Sequence, residues 1–285
     1  MAVREISLRG PLPHDAADHA TGFVGAVPKD LLLFVHGFNV DLDRARRQYR
    51  HMHGLLYRLA WRPRSNVVYL HWPGDHPTSR LSAVYFKRGA KLADQCVTPL
   101  IELLKDWRLQ HGMPRSLTLV AHSLGCRIAV ALAREVIRQN IGVELHLLLM
   151  AAAIPTRDDQ VALKGVSGRM AMYSEADDIL RFVFPLGQQM VDGDWLQLPE
   201  AVGLHGNPPP AWSRRWRMKD HGHSDYWESH PVARHVCDAM HLTTAHPSAQ
   251  RHMPAHSLQG FPALPVNRRV ERLMRVREAR SRALG

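Results

Sequence analysis

The sequence lacks several features that mark large classes of protein. Its three cysteines, Cys96, Cys126 and Cys237, are an odd number without a C-x-x-C pair, which indicates neither a disulfide framework nor a zinc knuckle. No H-E-x-x-H, G-x-G-x-x-G or G-x-x-x-x-G-K-S/T motif occurs. We therefore expect no catalytic metal and no nucleotide cofactor.

Long apolar segments are also missing. No apolar run reaches the roughly 18 residues that suggest a membrane-spanning helix. The first residues, MAVREISLRGPLPHD, lack the apolar run of about seven residues that a secretory signal peptide contains. We therefore expect a cytoplasmic protein, and the 285 residues are enough for one substantial hydrophobic core.

Positive charge is abundant but unevenly distributed. The net charge is +11, and residues 267–285 hold seven arginines and two glutamates, a net charge of +5. Such a basic tail could contact nucleic acid or an anionic membrane. It lacks the interleaved aromatic residues of a single-strand binder, so a solvated helix face is the simpler interpretation.

Apolar runs alternate with longer helical patterns along most of the chain. The runs predict strands over 30–37, 66–72, 116–122, 143–152 and 169–174, and the helical patterns lie over 42–60, 81–110 and 124–139. Continuous apolar strands joined by amphipathic helices are typical of a parallel sheet covered on both faces. With right-handed crossovers, the sequence predicts an α/β fold with a doubly wound, mostly parallel sheet.

The domain boundaries follow from where these patterns stop. Residues 1–242 are predicted to form one α/β domain that ends in a helix from about Asp225 to Leu242. Within it, the pattern fails over 185–219, which we expect to be a long loop or lid-like insertion beside the site. Residues 243–285 are predicted to form an extended segment followed by a basic helix.

Polar residues follow the carboxyl ends of the predicted strands. They occupy residues 36–39, 71–74, Ser123 and residues 175–178. In an open parallel sheet these ends meet at one edge, and ligands bind there. The sequence therefore predicts a functional site at this edge.

The segment LTLVAHSLGCRIAVALA (117–133) changes from strand to helix around Ser123. A tight turn at this point exposes the serine oxygen and directs the free N–H groups of the helix start towards a reacting carbonyl. Strand and helix then lie close together, which requires small residues such as Ala121 and Gly125 two positions away. The alternative is a serine that merely caps a helix in an ordinary α/β protein.

A nucleophilic serine needs a base and an acid that orients it. In this type of turn they follow in the order serine, acid, histidine. The segment MAMYSEADDIL supplies Glu175, Asp177 and Asp178, and KDHGHSDYW supplies His221 and His223. The backbone N–H groups of Phe38 and Leu124 are the expected oxyanion donors.

Five short motifs carry a resemblance to a known family. They are HGFN (36–39), HWPGD (71–75), AHSLG (121–125), YSEAD (173–177) and HSDYW (223–227). As an ordered set over roughly residues 30–240, they resemble the α/β-hydrolase superfamily, and most of all a bacterial branch of largely unassigned function. The resemblance implies the α/β-hydrolase fold.

The resemblance also implies a cofactor-free serine hydrolase for a small-molecule carboxylic ester. Ser123 would be the nucleophile, Asp177 the acid and His223 the base, while their neighbours stay open as alternatives from the residues alone. An acyltransferase with the same triad, or a hydrolase-fold binding or scaffold protein with little turnover, are the other functions to consider.

Three further expectations concern residues around this site. Trp72 and Trp227 are expected to line a substrate pocket. His122 precedes the serine on the wrong side of the turn for proton transfer, so we expect a structural role. Asn39 is expected to stabilise the loop after Gly37 by bonding to backbone groups, and not to contact the substrate.

Overall fold

The computed structural model describes residues 4–9, 20–21, 29–59, 66–75, 83–156, 164–193, 198–206 and 214–244. All of them belong to one compact unit, Met1–Ala245. The predicted basic tail helix lies outside the described residues.

One eight-stranded sheet forms the centre of the described part of the chain. Its strands are β1 (Arg4–Ser7), β2 (Ala20–Thr21), β3 (Asp30–Val35), β4 (Asn66–His71), β5 (Ser116–His122), β6 (Glu144–Met150), β7 (Val166–Tyr173) and β8 (Arg214–Arg217). The strand order is β2-β1-β4-β3-β5-β6-β7-β8, and every neighbouring pair is parallel except β1 and β2. The predicted doubly wound, mostly parallel α/β fold is confirmed.

Seven α-helices accompany the sheet in the described residues. They are α1 (Leu42–Arg58), α2 (Ala83–Gln95), α3 (Val97–His111), α4 (Gly125–Arg138), α5 (Phe184–Asp192), α6 (Val202–His205) and α7 (His230–Thr244). The helical pattern predicted over 81–110 is two helices that meet at Cys96. Pro99 lies in the first turn of α3, where its missing N–H and its ring would disrupt a helix continuing from Gln95.

Helices cover both faces of the sheet, which explains the continuous apolar strands. Alternate residues of β3 point to opposite faces. Phe34 packs on Tyr49 of α1, with ring centroids 5.7 Å apart. Leu33 lies on the other face, where Trp107 of α3 lines the same small apolar cavity. Because each face is buried, the strands carry few polar residues.

The prediction of a long loop over 185–219 was wrong. The segment contains α5, α6 and the edge strand β8. Gly187 interrupts the apolar pattern of α5, but an added Cβ there would lie 2.6 Å from the Phe86 ring, so close packing requires a glycine. The sequence RRWR of β8 shows no apolar alternation. Among the described strands, this short charged strand lies at the edge of the sheet and pairs with β7.

The path of the chain through the sheet determines where the polar strand ends meet. From β3 the chain passes to β4 on one side and then crosses to β5 on the other. This reversal is a topological switch point, where a crevice opens at the carboxyl ends of the strands. Val35 of β3 pairs with Ala121 of β5, so residues 36–38 lie beside residues 122–124.

In the described ranges, no helix has both the length and the apolar character needed to cross a bilayer.

Tyr49 of α1 connects the ends of two strands. Its hydroxyl accepts a hydrogen bond from the His36 N–H at 2.6 Å and donates one to the Leu70 carbonyl at 2.8 Å. The side chain is fully buried, so water cannot replace it in either bond. Tyr49 therefore holds the backbone directly after β3.

We predict that Tyr49→Phe lowers the free energy of unfolding by about 1–3 kcal/mol, because two buried backbone groups lose their partner. Tyr57→Phe, at an exposed position of the same helix, is the matched control and should leave the stability unchanged. Urea unfolding followed by circular dichroism measures both. Equal stabilities for the two variants would contradict the proposed contribution of the Tyr49 hydroxyl.

Candidate active site

Ser123 lies on a strained turn between β5 and α4. Its φ is +53°, in the left-handed region that costs a residue with a side chain about 1–3 kcal/mol. Backbone hydrogen bonds hold the turn: the Ser123 N–H donates to Met150 O at 2.9 Å, and the Ser123 carbonyl accepts from the N–H of Cys126 and Ala153. The surrounding backbone thus enforces the conformation that directs the serine oxygen out of the sheet.

Small residues allow this turn to approach β3. A Cβ added at Gly125 would lie 2.3 Å from the His36 carbonyl oxygen, closer than two such atoms can approach. A Cβ added at Gly37 would lie 3.0 Å from the Ser123 Cβ and 2.8 Å from the His122 ring. Ala121, on the strand side of the turn, is completely buried.

Ser123, His223 and Asp177 form a continuous series of hydrogen bonds. Ser123 Oγ is 2.7 Å from His223 Nε2, and His223 Nδ1 is 2.7 Å from Asp177 Oδ2. A carboxylate only accepts, so Nδ1 carries a proton and Nε2 is the acceptor for the serine hydroxyl. These are the atoms through which a base withdraws a proton from a serine.

Asp177 is positioned by the start of the segment that follows β7. Its side chain is fully buried, and Oδ1 accepts a hydrogen bond from the Leu180 N–H at 3.0 Å. Leu180 belongs to a short π-helical segment, Ile179–Val183, which leads into α5. Each carboxylate oxygen of Asp177 therefore has one defined partner.

The neighbouring acids and histidine point elsewhere. Glu175 is exposed and forms an ion pair with Arg217 at 2.6 Å. Asp178 is exposed and caps no N–H group with its side chain. His221 Nε2 lies 2.7 Å from Ser229 Oγ. Of the candidates left open by the sequence, only Asp177 and His223 join the series that begins at Ser123.

His122 has a structural position, next to the loop that carries His223. Its Nε2 is 2.7 Å from the His223 carbonyl oxygen, which can only accept, so Nε2 carries the proton. Burial lowers the pKa of His122 to about 3, which keeps the ring neutral. The contact ties the backbone of His223 to the residue before Ser123.

Phe38 and Leu124 present backbone N–H groups beside Ser123. Neither N–H donates to a protein acceptor within the part of the chain that the structure describes. Both residues line the same cavity as Ser123 and His223. Two free donors next to a serine oxygen are the arrangement that stabilises an oxyanion.

Three interactions hold the loop that contains Phe38. The Asn39 N–H donates to the Gly74 carbonyl at 2.5 Å, and Asn39 has a left-handed φ of +59°. His36 Nδ1 donates to Gly37 O at 2.8 Å. Trp72 Nε1 donates to the His36 carbonyl at 2.8 Å. The Asn39 contact is made by its backbone N–H.

The prediction that Trp72 and Trp227 line a substrate pocket was wrong. Both side chains are fully buried, and neither lines the cavity beside Ser123. Trp72 stacks on His36 with ring centroids 5.5 Å apart, and Trp227 packs on Phe34 at 5.4 Å. Both indole rings fill the core beneath the site, because large aromatic surfaces gain most free energy when fully buried.

The cavity beside Ser123 has a volume of about 40 Å³ and a mostly apolar wall. Its lining residues are Phe38, Phe86, Ser123, Leu124, Ala153, Ile179, Leu180, Val183, Phe184 and His223. Sequence reasoning missed the lining from α2 and from the segment after Asp177. The apolar run ILRFVF directly after the acidic residues was the available signal.

Metal-binding residues do not cluster in the described ranges: no group of three or more His, Cys, Asp or Glu side chains there could hold an ion. The three cysteines are buried, and burial raises the pKa of the Cys96 and Cys237 thiols. These thiols therefore serve as packing groups.

We predict that Gly125→Ala destabilises the protein, because the new methyl group must displace the backbone at His36. Gly54→Ala in α1 is the matched control: an added Cβ there meets no atom within 4 Å, and the change should stabilise the helix by about 1 kcal/mol. Thermal unfolding of the two variants should shift in opposite directions. A Gly125→Ala protein as stable as the wild type would contradict the close approach.

The comparisons with known proteins concern the fold. No protein-family model matches the chain, and no curated protein matches it in sequence. Among solved structures, the chain is similar to a predicted CIB-like hydrolase from Thermoplasma acidophilum, with 12% identity, coverage of 76% of this chain and 88% of that one, and a TM-score of 0.44. It is also similar to a hyperthermophilic esterase from Pyrobaculum calidifontis, with 10% identity, coverage of 79% and 81%, and a TM-score of 0.43. Carboxyl esterase 2 from Tuber melanosporum has 13% identity, coverage of 76% and 77%, and a TM-score of 0.44. At these values the similarity is confined to the general α/β arrangement.

Proposed function

We propose that the protein is a serine hydrolase of the α/β-hydrolase superfamily that cleaves a carboxylic ester. The observation that carries this proposal is the pair of 2.7 Å hydrogen bonds that link Ser123 Oγ, the His223 ring and Asp177. Nucleophile, base and orienting acid are thus within reach of one another without any movement.

In the first step His223 Nε2 takes the hydroxyl proton of Ser123 while Oγ attacks the ester carbonyl carbon. The carbonyl oxygen becomes an oxyanion, which the N–H groups of Phe38 and Leu124 stabilise. Asp177 holds the ring in the required tautomer and stabilises its charged form.

Collapse of the tetrahedral intermediate completes the transfer. The bond to the leaving oxygen breaks, His223 gives its proton to that oxygen, and the alcohol departs, which leaves the acyl group on Ser123. A water molecule then loses a proton to His223 Nε2 and attacks the acyl carbon. The carboxylic acid is released, and the Ser123 hydroxyl is restored.

Burial of Asp177 supports this assignment. A carboxylate shielded from water interacts more strongly with a developing imidazolium than an exposed one does. The Leu180 N–H compensates part of the cost of burying it. His223 is 13% exposed, so its ring remains accessible to substrate and water.

We expect a fluorophosphonate probe to label Ser123 and Ser123→Ala to lower ester turnover by about 10⁶-fold. Ser224→Ala, at an exposed position of the His223 loop, is the control and should retain labelling and turnover. Mass spectrometry of the labelled peptide identifies the site. A folded protein that stays unlabelled and cleaves no ester would overturn the proposal.

Two adjacent acids allow a matched test of the acid. Asp177→Asn should lower kcat by about 10⁴-fold, because the amide favours the wrong histidine tautomer. Asp178→Asn makes the same chemical change on an exposed side chain and should leave kcat near that of the wild type. Steady-state kinetics on proteins of verified fold compares them. Equal losses in both variants would show that Asp177 does not orient His223.

A further inference from the structure

We propose that the cavity beside Ser123 binds the acyl group of the substrate and admits short, unbranched, uncharged acyl chains of about two to four carbons. This inference rests on the proposed hydrolase function. The cavity volume of about 40 Å³ corresponds to about three water-sized positions, which is enough for such a chain and too little for a fatty acyl chain.

Packed aromatic side chains form part of the cavity wall. Phe86 of α2 and Phe184 at the start of α5 meet edge to face, with ring centroids 5.6 Å apart. Gly187 lets the Phe86 ring pack against α5, since an added Cβ would lie 2.6 Å from it. Phe86 is only 8% exposed. The pair is therefore part of the core, and longer chains cannot displace it at low cost.

The cavity wall at Phe38 and Leu124 is closely packed for a similar reason. A Cβ added at Gly89 of α2 would lie 2.6 Å from the Phe38 ring and 2.9 Å from the Leu124 side chain. The glycine thus allows α2 to approach the two residues that carry the oxyanion donors. This packing leaves space for one thin chain.

The acyl group, rather than the alcohol, suits such a cavity. The acyl group stays on Ser123 Oγ from the first step until water releases it, whereas the alcohol must leave before water can attack. A small cavity walled by the packed rings of Phe86 and Phe184 can hold the group that stays. The group that leaves needs an open path to solvent.

The wall also determines which acyl groups can enter. Apart from Ser123 and His223, every lining side chain is apolar. A carboxylate on the acyl chain would be buried without a charged partner, which is strongly unfavourable. A butyryl group should therefore be accepted and a succinyl group of equal length rejected.

Two ester series test this inference. In p-nitrophenyl esters with lengthening acyl chains, we expect kcat/KM to rise up to about fourfold per methylene as far as butyrate. Beyond butyrate it should fall by about tenfold or more. Acetate esters of lengthening alcohols should show a much shallower dependence. The p-nitrophenyl hemisuccinate should be a far poorer substrate than the butyrate.

Variants locate the effect in the cavity. Phe86→Ala should extend the accepted chain length, and Phe86→Leu is the milder replacement should the alanine variant not fold. Ala153→Val adds bulk to the wall and should reduce butyrate hydrolysis more than acetate hydrolysis. Phe182→Ala is the control, because it removes a side chain of the same type that is 63% exposed. Phe182 lies on the same segment as several lining residues, and the dependence of this variant on acyl-chain length should match that of the wild type.

The outcomes separate this inference from the function on which it rests. Probe labelling of Ser123 together with equal or better hydrolysis of long acyl esters would overturn the acyl cavity and leave the hydrolase intact. A steep dependence on the alcohol and not on the acyl chain would assign the cavity to the alcohol and overturn the inference. Absence of both labelling and ester hydrolysis would overturn the proposed function itself.

Discussion

The close approach of β5 and its turn to the end of β3 is the contact on which the rest of the site depends. Val35 pairs with Ala121, and Gly125 lies against the His36 carbonyl. This contact places Phe38 in the same cavity lining as Ser123 and Leu124. A wider separation would take the Phe38 N–H away from Ser123 and leave only that of Leu124, which belongs to the same turn. The steric demand at one glycine therefore couples sheet pairing to the geometry of the site.

Three histidines near the site differ because their surroundings differ. His36 is fully buried, and burial lowers its pKa to about 3, so the neutral ring serves as a hydrogen-bonding spacer between Gly37 and the Trp72 N–H. His122 is neutral for the same reason and supports the His223 backbone. His223 has a carboxylate on one nitrogen and a hydroxyl on the other. The same side chain therefore provides support in two places and a candidate base in the third.

Hydrophobic patterns in the sequence predicted those strands and helices whose own composition determines their structure. Apolar runs over β3 to β7 identified strands, because a strand buried on both faces tolerates few polar residues. The order of elements then implied a parallel sheet. The strands β1, β2 and β8 were missed because each is short and lies at or near the edge of the sheet, so their pairing depends on a neighbour and not on their own composition. Helix α5 was missed for a related reason. Its interior Gly187 weakens the helical pattern, and the need for a glycine there comes from the Phe86 ring that packs against it.

What the sequence by itself determined was the chemistry available at one sheet edge: a serine between small residues, acids after a later strand and histidines before the last helix. The sequence could not identify the acid among Glu175, Asp177 and Asp178. These residues lie in one turn and match the same pattern, and they differ only in the direction in which their side chains point. The tertiary structure distinguishes them, because it buries Asp177 against the Leu180 N–H and leaves the other two in solvent. It also determined that the two tryptophans are buried and what shape the cavity has. Both depend on which distant side chains pack together, and sequence spacing carries no information about that packing.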